Sequence, residues 1–126
     1  MSVDLKEKAV ALLSTTTISF AADDDTILYT VPAGKRCVLS HAVIVAADAD
    51  TGSTITIGQS GATTDFLAAN TLSNIAAQYD AVVVRPIPNT TPLKSKSYAA
   101  ATVIKATVAS NGGAAGGTLY LFGFLY

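Results

Sequence analysis

The chain has 126 residues, half of them hydrophobic and only 13% charged, against about 25% charged in an ordinary globular domain. That length suits one domain with a sizeable core, and the composition excludes a disordered chain while suggesting more apolar surface than a lone monomer buries. A formal net charge of −1 excludes the basic field that holds nucleic acid, and a single cysteine, Cys37, excludes an intrachain disulfide.

Residues 4–13 carry the only helical spacing. Leu5, Ala9, Leu12 and Leu13 share one face, with Lys6 and Lys8 off it. A helix of about ten residues is marginal alone. The spacing therefore predicts a short N-terminal helix or extended arm over residues 1–14, lying on its own domain or on a neighbour. Lys6, Lys8 and the small-residue site Ser19-Phe20-Ala21 also have some look of a secretory leader. The apolar stretch 9–13 is short, however, Ser14-Thr15-Thr16-Thr17 breaks it, and Asp4 and Glu7 oppose a positive n-region. No leader is expected. No apolar run approaches membrane-spanning length, so the chain reads as soluble, with no membrane partner.

From residue 15 onward the texture is β, and residues 15–126 read as one domain. Residues 15–20 alternate, with Thr16, Ile18 and Phe20 on one face. Asp23-Asp24-Asp25 punctuates the chain. Residues 26–31 and 36–47 then read as a strand pair around a Pro32-Ala33-Gly34 turn, in which Gly34 supplies a positive φ. Residues 48–53 are a turn cluster. Ile55 and Ile57 mark a short strand that ends at Gly58-Gln59-Ser60-Gly61. Residues 62–79 read as short helical turns or a long packed loop. Residues 81–85 and 98–109 are strand-like, 111–117 is a glycine-rich hairpin loop, and 118–126 is the final strand. About eight strands separated by turn signals predict an all-β sandwich or barrel.

The final strand is apolar on both faces. Tyr120, Phe122, Phe124 and Tyr126 alternate with Leu119, Leu121 and Leu125. An ordinary sandwich strand shows one polar face. Each aromatic can bury about 150–250 Å², so four of them left wet would make an adhesive patch. The aromatic side is therefore expected to meet another chain, unless residues 62–79 cover it.

Little chemistry is on offer. His41 is the only histidine. It lies four residues from Cys37 on one strand, about 13 Å along it, too far for a nucleophile–base hydrogen bond. Asp48-Ala49-Asp50-Thr51-Gly52 has the front half of a calcium loop, but no acid closes it. Asp23, Asp24 and Asp25 read as a solvated turn that deters edge pairing. Asp65 and Asp80 are the best paired-carboxylate candidates, yet the chain has no Trp to stack a sugar, and Glu7 is its only glutamate. The glycine clusters at 58–61 and 112–117 lack the strand-to-helix context of a phosphate cradle. Lys94, Lys96 and Lys105 form only a mild local cluster. No catalytic residue, cofactor, metal or nucleic-acid site is expected, and the chain does not read as an enzyme.

The segment Thr26 to Leu39, with Val31-Pro32-Ala33-Gly34-Lys35 between two strand-like runs, resembles the opening hairpin of small β-sandwich proteins of tailed-phage virions. Capsid decoration (cement) proteins and fibre-like appendages are among them. The resemblance extends over residues 26–126 through Ala-, Thr- and Gly-rich strands, the Ala-Gly-rich penultimate loop and the aromatic last strand. It implies a jelly-roll-like antiparallel β-sandwich made in the host cytoplasm and carried on the outer capsid surface of a virion. It implies the major capsid protein as partner, and a small homo-oligomer, with a trimer favoured over a dimer. Such proteins bridge capsomers against internal DNA pressure and have no catalytic signature. A fibre-like module that recognises a host surface glycan is the alternative, with Tyr79, Tyr98 or Tyr126 as platforms. The expected interface residues are Leu5, Leu12, Leu13, Tyr120, Phe122, Phe124 and Tyr126.

Overall fold

The computed structural model describes residues 10–49, 52–72, 75–86, 96–110 and 116–126, and every regular element among them is a β-strand. The strands are β1 (Ala11–Ser19), β2 (Asp24–Thr30), β3 (Cys37–Ala46), β4 (Thr54–Gln59), β5 (Ala62–Thr71), β6 (Ala81–Val84), β7 (Ser97–Tyr98), β8 (Val103–Ala109) and β9 (Gly116–Leu125). They form two antiparallel sheets. Sheet A runs β1-β9-β3-β6, with β7 also paired to β3, and sheet B runs β2-β8-β4-β5.

With the two-residue β7 set aside, the first strand pairs with the last, β1 with β9. The second pairs with the next to last, β2 with β8. Then β3 pairs with β6, and β4 with β5. This is one long hairpin, rolled until β9 also meets β3 and β8 also meets β4. The result is a jelly-roll sandwich, the fold class expected from the sequence.

Period-two alternation sets the core. Leu119 and Leu121 on β9 face inward with Ala42 and Ile44 on β3, against Ile55 and Ile57 of β4 and Ile104 and Ala106 of β8. Phe20, Phe66 and Leu67 close this interior. β9 reaches its neighbours only because two of its inward positions are glycine. A Cβ on Gly117 would stand 2.4 Å from the Val45 carbonyl oxygen, and one on Gly123 would stand 2.4 Å from that of Val38.

Several local expectations are corrected. Residues 11–13 are strand, not helix. β1 carries a bulge between Leu12 and Ser14 that leaves Leu13 without a partner on β9: Leu12 pairs with Phe122 on the outer face, and Leu13 packs on the core beside Gly123. That irregularity imitates helical spacing. Leu5 and the rest of residues 1–9 lie outside the described residues. Residues 62–71 form the edge strand β5, not helical turns. The register against β4 shifts along it, and the consecutive Phe66 and Leu67 are both buried.

Neither the Pro-Ala-Gly turn nor the glycine-rich loop makes a hairpin. β2 lies in sheet B and β3 in sheet A, and β8 and β9 are divided in the same way. The turn itself is as expected. Lys35 N–H donates to the Pro32 carbonyl at 3.3 Å, and Gly34 has φ +74°. It carries the chain across the sandwich because Val31 is held by the facing turn, donating to the Thr102 carbonyl and accepting from Ala101 N–H. That turn also splits the expected strand 98–109 into β7 and β8.

Candidate interaction surface

The sandwich has two unlike outer faces. On sheet B the outward positions include Asp25, Thr107 and Thr56 in one row across β2, β8 and β4, and Ile27, Lys105 and Gly58 in another. The Thr107 hydroxyl donates to Asp25 at 2.7 Å. Ile27, 58% exposed, and Val103 and Ala109 on β8 interrupt this surface, but with Asp25, Lys105 and Thr107 it is the more polar of the two faces.

On sheet A the register lays out a different surface. One row crosses Leu12, Phe122 and His41, and the next crosses Thr15, Tyr120, Val43 and Val83. A third holds Thr17, Thr118, Val45 and Ala81, while Val38 and Phe124 pair beyond the His41 row. None of these side chains is a carboxylate, ammonium or guanidinium. Two exposed arginines mark its margin: Arg36, paired through its backbone with Tyr126, and Arg85, which follows β6. Leu12 is 50% exposed and Val83 59%, while Tyr120, Phe122 and Phe124 are partly buried. The His41 ring stacks on Phe122 with centroids 4.7 Å apart and planes 6° from parallel. The Phe124 and Tyr126 rings tilt together at 6.1 Å.

The sequence reading therefore found β9's share of this face and missed β3's and β6's. Tyr120, Phe122 and Phe124 project outward, joined by Leu12 and by Tyr126, which is 50% exposed. Leu13 turns inward. Residues 62–71 belong to sheet B, so they do not cover the aromatics. Val38, Val43 and Val45 alternate with Ala42, Ile44 and Ala46, which is the same two-sided apolar pattern that singled out β9. Applied to residues 36–47, that test would have found them.

The groups that suggested chemistry are occupied structurally. Cys37 is fully buried, and burial pushes its thiol up to about 11, so it is inert as a nucleophile at neutral pH. Asp65 accepts from Gln59 N–H at 3.1 Å, Gln59 Nε2 at 2.7 Å, the Tyr98 hydroxyl at 2.8 Å and Lys96 Nζ at 3.2 Å. Burial alone would raise its pKa. The donors from Tyr98, Gln59 and Lys96 outweigh that and hold the carboxyl below the usual carboxylate value. Burial, then the bond to Asp65, raises the Tyr98 hydroxyl. Tyr98 thereby ties sheet A to β5 of sheet B from inside and is no sugar platform.

Asp80 instead caps a turn, accepting from Ala76 and Ala77 N–H at 2.9 and 3.0 Å. That turn presents Tyr79, 76% exposed at φ 72°, a conformation that costs a non-glycine residue energy. Of the acidic run, Asp23 accepts from Ser110 N–H and Asp25 from Thr107, so two of its three carboxylates pin β2 to β8 and its end. Asp48 accepts from Ala49 N–H, while Asp50 lies outside the described residues. Among the described residues no group of three metal-ligating side chains converges. No described helix is long and apolar enough to cross a membrane. No protein-family model matches the chain, and no curated protein matches it.

Proposed function

We propose that this chain is a non-enzymatic structural protein of a tailed-phage virion, binding the outer surface of the capsid through the major capsid protein and stabilising it. The observation that carries the reading is the uncharged, aromatic outer face of sheet A on a jelly roll whose other face is more polar. Such a surface gives broad, shape-matched contact with protein. It has no field for nucleic acid and no convergent polar groups for a small substrate. The resemblance of residues 26–126 to decoration proteins supplies the capsid as the setting.

Co-sedimentation of the purified chain with undecorated phage heads tests it. Saturable binding in the pellet is expected, and a chain that stays in the supernatant at every ratio overturns the reading. The fibre-like alternative draws on one observation, the Tyr79 ring held out from a turn fixed by Asp80 and by Tyr79 N–H to the Ala46 carbonyl. A glycan array distinguishes it, since a decoration protein leaves the array blank.

A further inference from the structure

We infer that the outer face of sheet A receives a second copy of this chain, packed sheet on sheet about a two-fold axis. The inference rests on reading this face as an assembly surface, and it names the first partner to occupy it.

Charge is the first argument. The rows through Phe122 and Tyr120 contain no ionised carboxylate, ammonium or guanidinium, and the exposed Arg36 and Arg85 stand at the margin, so two copies bury no charge at the centre of their contact. His41 is the titratable side chain near the centre, stacked on Phe122 and beside the Ser40 hydroxyl.

Area is the second. Three strands of nine or ten residues and the four-residue β6, at about 4.8 Å spacing and about 3.4 Å per residue, present about 540 Å². Two copies then bury about 1,080 Å², just above the roughly 1,000 Å² that a biological interface needs.

Symmetry is the third. A two-fold contact uses one self-complementary patch, whereas a ring of three needs two different patches on each copy. The described residues offer one such patch, because sheet B's outer face carries threonines with Asp25 and Lys105. This favours a dimer over the trimer that the family resemblance implies. The two facing sheets would sit about 10 Å apart, as the layers of a sandwich do.

Sedimentation velocity on the full chain across a dilution series tests the inference, with no capsid present. A species of twice the 12.8 kDa chain mass is expected at tens of micromolar, dissociating on dilution. Phe122→Asp should weaken the dimer by more than tenfold. Thr15→Asp should do the same, and because Thr15 is exposed in the single chain it leaves the fold intact by circular dichroism. Ile27→Lys on sheet B should leave the dimer unchanged. A monomer at tens of micromolar, a trimer, or a Thr15→Asp dimer of undiminished strength overturns the inference. A monomeric wild-type chain that still pellets with heads overturns this inference alone. A dimer that fails to pellet supports it and overturns the capsid reading.

Discussion

His41 and Phe122 stack in register across β3 and β9, with ring centroids 4.7 Å apart. A bulge between Leu39 and His41 aims the imidazole at the ring, and the Ser40 Oγ lies 2.9 Å from His41 Nδ1. The pair sits where β1, β9 and β3 come together on sheet A's outer side. An aromatic pair of this kind contributes about 0.5–1.5 kcal/mol beyond its burial. His41→Ala should therefore lower the melting temperature by a few degrees and keep the fold. An unchanged melt would show that the stack contributes nothing.

Neighbouring residues of β9 should respond to charge in very different degree. Leu121 is fully buried and Phe122 faces outward. Leu121→Asp places an unpaired carboxylate in the core and should abolish folding. Phe122→Asp should fold with a melting temperature lowered by several degrees. Circular dichroism and thermal melts compare them, and equal behaviour would mean that the alternation on β9 is misassigned.

Two turn positions should shift stability in opposite directions. Gly34 has φ +74° with nothing within 4 Å of a built Cβ, so Gly34→Val meets backbone strain and no clash. It should cost about 1–2 kcal/mol. Ala101 holds φ 68° without being glycine. Ala101→Gly should relieve that conformation and stabilise by about 0.5–1 kcal/mol. Urea unfolding measures both, and a stabilising Gly34→Val would contradict the turn geometry.

Asp65 should carry acid-dependent stability. Its four donors hold the folded-state pKa below the unfolded value. Its contribution is therefore full above the unfolded carboxylate pKa, about 4, and is lost as pH falls through the folded value. Asp65→Asn should cost about 2 kcal/mol near pH 7, the scale of charge-assisted hydrogen bonds lost at a largely buried site. The gap from wild type should narrow below about pH 4. Urea midpoints for both proteins across that range check the sign, and a constant gap would show that the carboxylate charge is not what stabilises the site.

Much of this was legible in the sequence, with a clear boundary. Alternation in β3, β4, β8 and β9 specified an all-β sandwich, and the two-sided apolarity of β9 pointed to the outer face. Turn residues marked where the chain reverses at Pro32-Ala33-Gly34. They carry no information about which strand the next one lands beside, so a crossing between sheets read as a hairpin. The bulge at Leu13 and the register shift along β5 broke the period that the reading relied on. The Asp65 network joins residues 31 and 33 positions apart, Lys96 and Tyr98, and local pattern cannot see that distance.

Hydroxyl-radical footprinting tests the central claim, burial of sheet A's outer face on assembly, most directly. The chain bound to undecorated phage heads is compared with the dilute free chain. Labelling of Leu12, Tyr120 and Phe122 should fall several-fold on assembly, while Ile27 on the opposite face stays labelled. Equal labelling of Leu12, Tyr120 and Phe122 in both states, with the chain demonstrably bound, would contradict the account.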